Sequence, residues 1–262
     1  MESHIEIERH GDVGVIALNR PRARNALNTA LLLQLRKAIK EASADPKMRA
    51  VILTGRGGGF CAGADVREWA DKNAGIDPFP NNDWVEECIK MVQDVARCPK
   101  PTIAMIDGAA VGAGLDMALA CDFRYASERA KFVCSYIRVG FAPDCGGTWL
   151  MPRIIGVELA KRFAFTGELW DAATAKANRL VGDVYPVAEL TDRTLEFASR
   201  LAAGPTVAIA LTKKLIDSAF GRSLPEQQIE EQAAGRICVT TRDHAEGLAA
   251  ANERREPKFI GA

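Results

Sequence analysis

Two turns built almost wholly from glycine and alanine set the frame of this chain. The first is Gly55-Arg56-Gly57-Gly58-Gly59-Phe60-Cys61-Ala62-Gly63-Ala64-Asp65, after the apolar run Ala50–Thr54. The second is Gly108-Ala109-Ala110-Val111-Gly112-Ala113-Gly114-Leu115-Asp116, after Thr102–Asp107. Each leads into a helical pattern. A strand that passes into a helix through residues with almost no side chain leaves backbone N–H groups bare at the helix start. Such groups bind anions, or an oxygen on which negative charge develops. One turn of this kind also reads as a plain connection in a tightly packed α/β protein. Two of them meeting at one point make an oxyanion hole.

The remaining composition narrows the class. The 262 residues allow one large domain or a domain with an appendage. Lys+Arg and Asp+Glu are both 34, so no overall charge draws the chain to nucleic acid or anionic lipid. Arg20, Arg22 and Arg24 form a local basic cluster. Met1–His10 is polar and no stretch approaches ~20 uncharged apolar residues. A soluble cytoplasmic protein is expected. The seven cysteines are scattered with no C-x-x-C pair, which points to reduced, buried thiols. The histidines, His4, His10 and His244, fall in no motif, so neither a His-ligated metal nor a Ser-His-Asp triad is expected.

Along the chain, Ile5–Glu8 and Val13–Leu18 read as a hairpin. Asn28 or Thr29 caps a helix that runs to Ala44. Val51–Leu53 reads as a buried strand, residues 71–82 as a surface loop, and Trp84–Arg97 as an amphipathic helix. A strand at 102–106, a helix at 113–120 and short strands at 123–126 and 132–134 follow. Residues 135–147 are irregular and precede helices near Trp149, at 157–165 and at 171–177. A last strand lies near 181–185, and from Ala188 the pattern is helical only. This alternation predicts an α/β core, residues 1–187, with a helical region at 188–262.

Asp144 stands out in Gly140-Phe141-Ala142-Pro143-Asp144-Cys145-Gly146-Gly147-Thr148. It reads either as the N-cap of the helix through Trp149 or as a proton shuttle on a rigid loop. Apolar neighbours raise a carboxyl's pKa toward the working range.

These residues resemble the crotonase family, also called the enoyl-CoA hydratase/isomerase superfamily. The likeness runs from Val15–Pro21 and Asn25-Ala26-Leu27 to Glu246-Gly247, and is strongest at Phe60–Asp65, Asp107–Asp122 and Gly146-Gly147-Thr148. It implies a spiral of ββα units with a C-terminal all-helical trimerisation region, and a homotrimer or homohexamer. It implies an acyl-CoA thioester substrate whose carbonyl oxygen meets the N–H groups of Ala64 and Ala113. Coenzyme A is then part of the substrate, with no separate cofactor and no metal. The resemblance puts the adenine along Ala62, Gly63, Ala64, Asp65 and Val66, with Gly112 in the second turn. It offers Arg22 and Arg24 for the phosphates, although the two also read as a solvated surface cluster. Lys258 and Phe259 of a neighbouring subunit are further candidates for contact with the CoA.

The chain departs from the hydratase pattern at two positions. Where typical hydratases place two glutamates, it holds Asp116 and Tyr136. A phenol has an unperturbed pKa near 10, about six units above a carboxylate, so a two-carboxylate clamp on water is not expected. Asp116 reads as a complement to the helix dipole or as an orienting group, and Tyr136 as a pocket wall or an orienting hydroxyl. The run Pro143–Leu150 with Pro152-Arg153 is most similar to ring-1,2-epoxyphenylacetyl-CoA isomerases. The expected reaction is therefore isomerisation, shifting a double bond or opening an epoxide ring, with Asp144 as acid and base. A hydratase or a C–C bond hydrolase of the same superfamily is the alternative. A non-catalytic acyl-CoA- or RNA-binding member is a more distant one.

Overall fold

The hairpin at the start is where the alternating residues put it: β1 (Ile5–His10) and β2 (Val13–Leu18) pair antiparallel around a turn at Gly11, whose φ is +60°. The computed structural model describes residues 3–65, 67, 68 and 83–262. The expected loop at 71–82 and the candidate Val66 lie outside the described residues.

After a 3-10 turn at Pro21–Ala23 come α1 (Thr29–Ala44) and β3 (Ala50–Gly55). The Asn28 side chain caps α1 by accepting from the Leu31 N–H. Leu31, Leu32, Leu35 and Ile39 are buried along its inner face, and Leu33 is exposed. Then follow α2 (Asp83–Ala96), β4 (Thr102–Ile106), β5 (Ala109–Val111), α3 (Ala113–Leu119), β6 (Phe123–Ser127) and β7 (Lys131–Val133). A second 3-10 turn at Ser135–Val139 leads to α4 (Gly147–Ile155), α5 (Val157–Thr166), β8 (Leu169–Asp171), α6 (Ala172–Ala177) and β9 (Asp183–Tyr185). The described chain after Tyr185 is helical: α7 (Val187–Ala202), α8 (Thr206–Ser218), α9 (Leu224–Cys238) and α10 (Arg242–Glu253), with a short 3-10 turn at Ala219–Gly221.

The strands form two sheets. The larger has the order β1-β2-β3-β4-β6-β9, parallel except for the first pair. The smaller has the order β5-β7-β8. One face of the large sheet shares the main core with α1, α2 and α3. Leu190, Ala198 and Ala202 of α7 cover the other face, packing with Val13, Val15, Ile52 and Ile103. Parallel strands buried on both faces are necessarily rich in branched apolar residues, as Ala50–Leu53 and Thr102–Ile106 are.

Three local expectations are corrected. The second glycine turn contains a strand of its own, β5, whose three residues are too few and too small to show a period. Leu169–Asp171 forms strand β8, which the pattern did not predict, and the Asp171 side chain caps the helix expected at 171–177. Asp144 does not cap α4: the N-cap is Gly146, with φ +103° and no side-chain cap bond. Among the described residues no helix is long and apolar enough to cross a membrane.

Candidate active site

The two glycine turns come together. The Cys61 N–H donates to the Ala109 carbonyl at 2.8 Å, and the Val111 N–H donates to the Cys61 carbonyl at 3.0 Å. This two-bond bridge pairs Cys61 with Ala110 and so joins the first turn to β5. Glycine is required at the contact. A Cβ on Gly63 would stand 2.7 Å from the Val111 carbonyl oxygen, and one on Gly114 would stand 2.6 Å from Cys61 Sγ and 2.7 Å from its carbonyl oxygen.

Ala64 does not itself open the helix that its residues suggested; Arg67 and Glu68 are helical. Ala64 instead lies in a parallel bridge opposite Leu27. The Leu27 N–H donates to the Gly63 carbonyl at 2.8 Å, and the Asp65 N–H to the Leu27 carbonyl at 3.1 Å. These bonds hold the residues on either side of Ala64 and turn the Ala64 amide away from Leu27. Trp84 Nε1–H also donates to the Leu27 carbonyl, at 3.0 Å. Ala113 opens α3 after Gly112, whose φ is +52°. Neither the Ala64 nor the Ala113 N–H donates to a backbone acceptor among the described residues. The first four N–H groups of a helix have no partner inside it, so the Ala113 amide is free by construction.

Asn25 holds the outer side of the first turn. It is fully buried at φ +57°, and its Nδ2 donates to the Gly59 carbonyl at 2.7 Å and to that of Arg56 at 3.0 Å. Arg20 forms an ion pair with Asp65 at 3.0 Å. Asp65 is thus engaged by its side chain, and Arg20 is the arginine of the cluster that builds the turn. Arg22 and Arg24 are exposed, and the Arg24 carbonyl accepts from the Ala62 N–H at 3.1 Å. The basic pair therefore borders the Ala62–Ala64 strip. Lys258 and Phe259 lie in the C-terminal tail. The Lys258 N–H donates to Glu246, and the Phe259 carbonyl accepts from Arg49 at 3.2 Å. These bonds tie the tail to α10 and to the start of β3.

Asp116, Tyr136 and Asp144, spread over 29 positions, share one electrostatic environment. Asp116 in α3 has no exposed surface, and its Oδ2 is 2.7 Å from Tyr136 Oη. Among the described residues its Oδ1 has no hydrogen-bond partner, and it faces the N-terminus of α4. There the Gly147 N–H is close enough to favour the charged form. Burial dominates and pushes the Asp116 carboxyl up to about 7, with the charge of Asp144 adding to the rise. The bond from Tyr136 opposes it. Burial and the Asp116 charge drive the Tyr136 phenol well above its ordinary range. Tyr136 is half-buried, on the 3-10 turn after β7.

Asp144 sits on the loop between that turn and α4. Gly140 and Gly146, both at positive φ, bound the loop. The carboxyl is half-buried, and burial raises its pKa. The Cys145 thiol, 3.2 Å from Asp144 Oδ1, acts in the opposite direction. The sequence had offered Cys145 only as one more buried thiol, and Asn25 only as part of a motif. Its position beside Asp144 was the one available signal for Cys145.

Residues 8–262 match the family described as Enoyl-CoA hydratase/isomerase. The chain belongs to that family. Its relatives carry both names. The 1,2-epoxyphenylacetyl-CoA isomerase of Escherichia coli (strain K12) is 36% identical over 99% of this chain and 97% of its own length. The mitochondrial methylglutaconyl-CoA hydratase of Mus musculus is 35% identical over 98% and 82%. The crystal structure of an enoyl-CoA hydratase from Bacillus anthracis superposes with a TM-score of 0.93 at 35% identity, covering 99% of this chain and 100% of that one. The fold is thus the crotonase fold expected from the motifs. As a member of the enoyl-CoA hydratase/isomerase family the chain is an enzyme whose relatives divide between two reactions.

Proposed function

We propose that this enzyme isomerises an unsaturated or epoxide-bearing acyl-CoA thioester through an enolate. The observation that carries this reading is the bond between Asp116 and Tyr136. A hydratase of the two-carboxylate kind needs two accessible carboxylates around one water. Here one of the two positions is a phenol, and it occupies an oxygen of the other, which is sealed from solvent. In this reading the acid–base group is Asp144, half-buried and electrostatically coupled to Asp116.

In this reading the thioester oxygen accepts from the N–H groups of Ala64 and Ala113. Asp144 takes a proton from one carbon of the acyl chain, and the C–H electron pair moves into a dienolate. The protonated Asp144 then returns the proton at a different carbon, and the thioester carbonyl re-forms. One carboxyl serves twice, so no water is consumed and the mass is unchanged. With an epoxide, the same donors hold the charge while the ring opens. A carboxyl whose pKa is raised by burial is suited to accept and release a proton near neutral pH.

The CoA moiety is proposed to run along Ala62, Gly63, Asp65 and Val66 and past Gly112, with Arg22 and Arg24 meeting its phosphates. Lys258 and Phe259 are assigned to the CoA of a neighbouring copy. The division at residue 187 belongs to this reading, with the C-terminal helices as the oligomerisation region of a trimer or hexamer. Ile216, Phe220, Leu224 and Ile229 are exposed there, which supports it. The chemistry calls for no cofactor beyond the substrate's own CoA.

The test is a panel of saturated, 2-enoyl, 3-enoyl and ring-bearing CoA thioesters, with product masses read by mass spectrometry. Isomerisation leaves the mass unchanged and Asp144→Asn abolishes it. Addition of one water places the enzyme with the hydratases or hydrolases. Turnover of 3-enoyl-CoA by Asp144→Asn removes Asp144 from its role.

A further inference from the structure

Asp144 is braced by a thiol. Cys145 is 2% exposed, and its Sγ lies 3.2 Å from Asp144 Oδ1. The Cys88 thiol of α2, fully buried, is in interaction range of both Cys145 and Asp144. A carboxylate on a loop bounded by two glycines has rotamers to lose, and one buried donor selects among them. A proton transfer repeated at two carbons demands such a fixed geometry.

We propose that Cys145 is the positioning residue of Asp144: its thiol holds one carboxylate oxygen and leaves the other for the acyl chain. This rests on Asp144 being the acid–base group. The same bond favours the ionised carboxyl, together with the Asp144 backbone N–H, against the effect of burial. The groups that face Asp144 are Cys145 on its own loop, Tyr136 on the preceding 3-10 turn, Asp116 on α3 and Cys88 on α2. No lysine, arginine or histidine contributes among the described residues. With no cation present, the thiol is the side chain that opposes burial, and its loss is felt directly.

The experiment follows the Asp144 carboxyl by NMR in protein labelled with ¹³C at the aspartate carboxyl carbons, with Asp144→Asn to assign the signal. The pH profile of kcat/KM on a 3-enoyl-CoA is recorded alongside. Cys145→Ala is expected to move both the NMR midpoint and the acid limb up by about one pH unit, about tenfold in activity below the limb. Cys145→Ser keeps a donor and returns both to the wild-type position. Melting temperatures separate these shifts from a general loss of packing. A wild-type midpoint in Cys145→Ala, or a Cys145→Ser displaced as far as Cys145→Ala, overturns the assignment. If Asp144→Asn still turns over, both the base and its brace fall. If Asp144→Asn is dead and Cys145→Ala is unshifted, the brace alone falls.

Discussion

Replacing Asp116 with Asn should change the stability of this protein by an amount that depends on pH. In the fold the Asp116 carboxyl is sealed and titrates at about 7, against 3.8 for an ordinary aspartate. The folded state therefore holds a proton that the unfolded chain releases once the pH passes 3.8. The stabilisation from that proton is complete below 3.8 and is lost progressively as the pH climbs to about 7, after which the curve is flat. A full shift of this size corresponds to about 4 kcal/mol, at 1.36 kcal/mol per pKa unit. Integrating between the two states, the native protein has lost about 2 kcal/mol of this at pH 5 and about 4 kcal/mol at pH 8. Asn cannot ionise, so the variant is spared the loss. Its amide adds a buried donor whose cost, about 1–3 kcal/mol when unsatisfied, does not vary with pH. The difference between variant and wild type should thus move by about 2–3 kcal/mol in favour of Asn from pH 5 to pH 8. Urea unfolding at both pH values, followed by circular dichroism, measures it. A difference that stays constant between pH 5 and pH 8 would refute the reasoning, because it would mean that Asp116 is already ionised in the fold.

Two further substitutions test the paired turns. Ala113→Pro removes a donor at the first helical position, where proline breaks no helix bond, so the fold should survive. Turnover should fall about a hundred- to a thousand-fold while thioester binding changes far less, and an equal loss in both would count against the oxyanion assignment. Gly114→Ala forces a Cβ to 2.7 Å from the Cys61 carbonyl oxygen, so it should cost about 1–3 kcal/mol of stability and depress turnover by separating the turns. Adding Cys61→Gly removes the side-chain part of that clash but not the carbonyl, so the double variant should recover in part. Full recovery would show that the backbone contact does not matter.

Much of the frame was legible in the residues. The β1–β2 hairpin, α1, β4 and the helical end follow from apolar periodicity and caps, which act within a few residues. The two turns could be read because only glycine and alanine leave an amide uncovered. Short strands escaped: β5 and β8 have three residues each and owe their pairing to β7. Asp144 as an N-cap was a reasonable local expectation, but the glycine at 146 took the position through a positive φ that no aspartate shares as easily.

The chemistry of the site is a different matter. From the sequence, Asp116 and Tyr136 stand where hydratases place two glutamates, with nothing to show that they bond to each other. Their 2.7 Å bond, and the burial that pushes Asp116 up to about 7, exist because α3 and the 3-10 turn after β7 are folded against each other. The same packing sets Cys145 against Asp144. A separate long-range contact aligns Ala64 with Leu27. Chain stiffness and side-chain size are properties of neighbouring residues and can be read in order. Dielectric, charge coupling and the direction of a free amide depend on what lies across space, and here the folded chain supplied them.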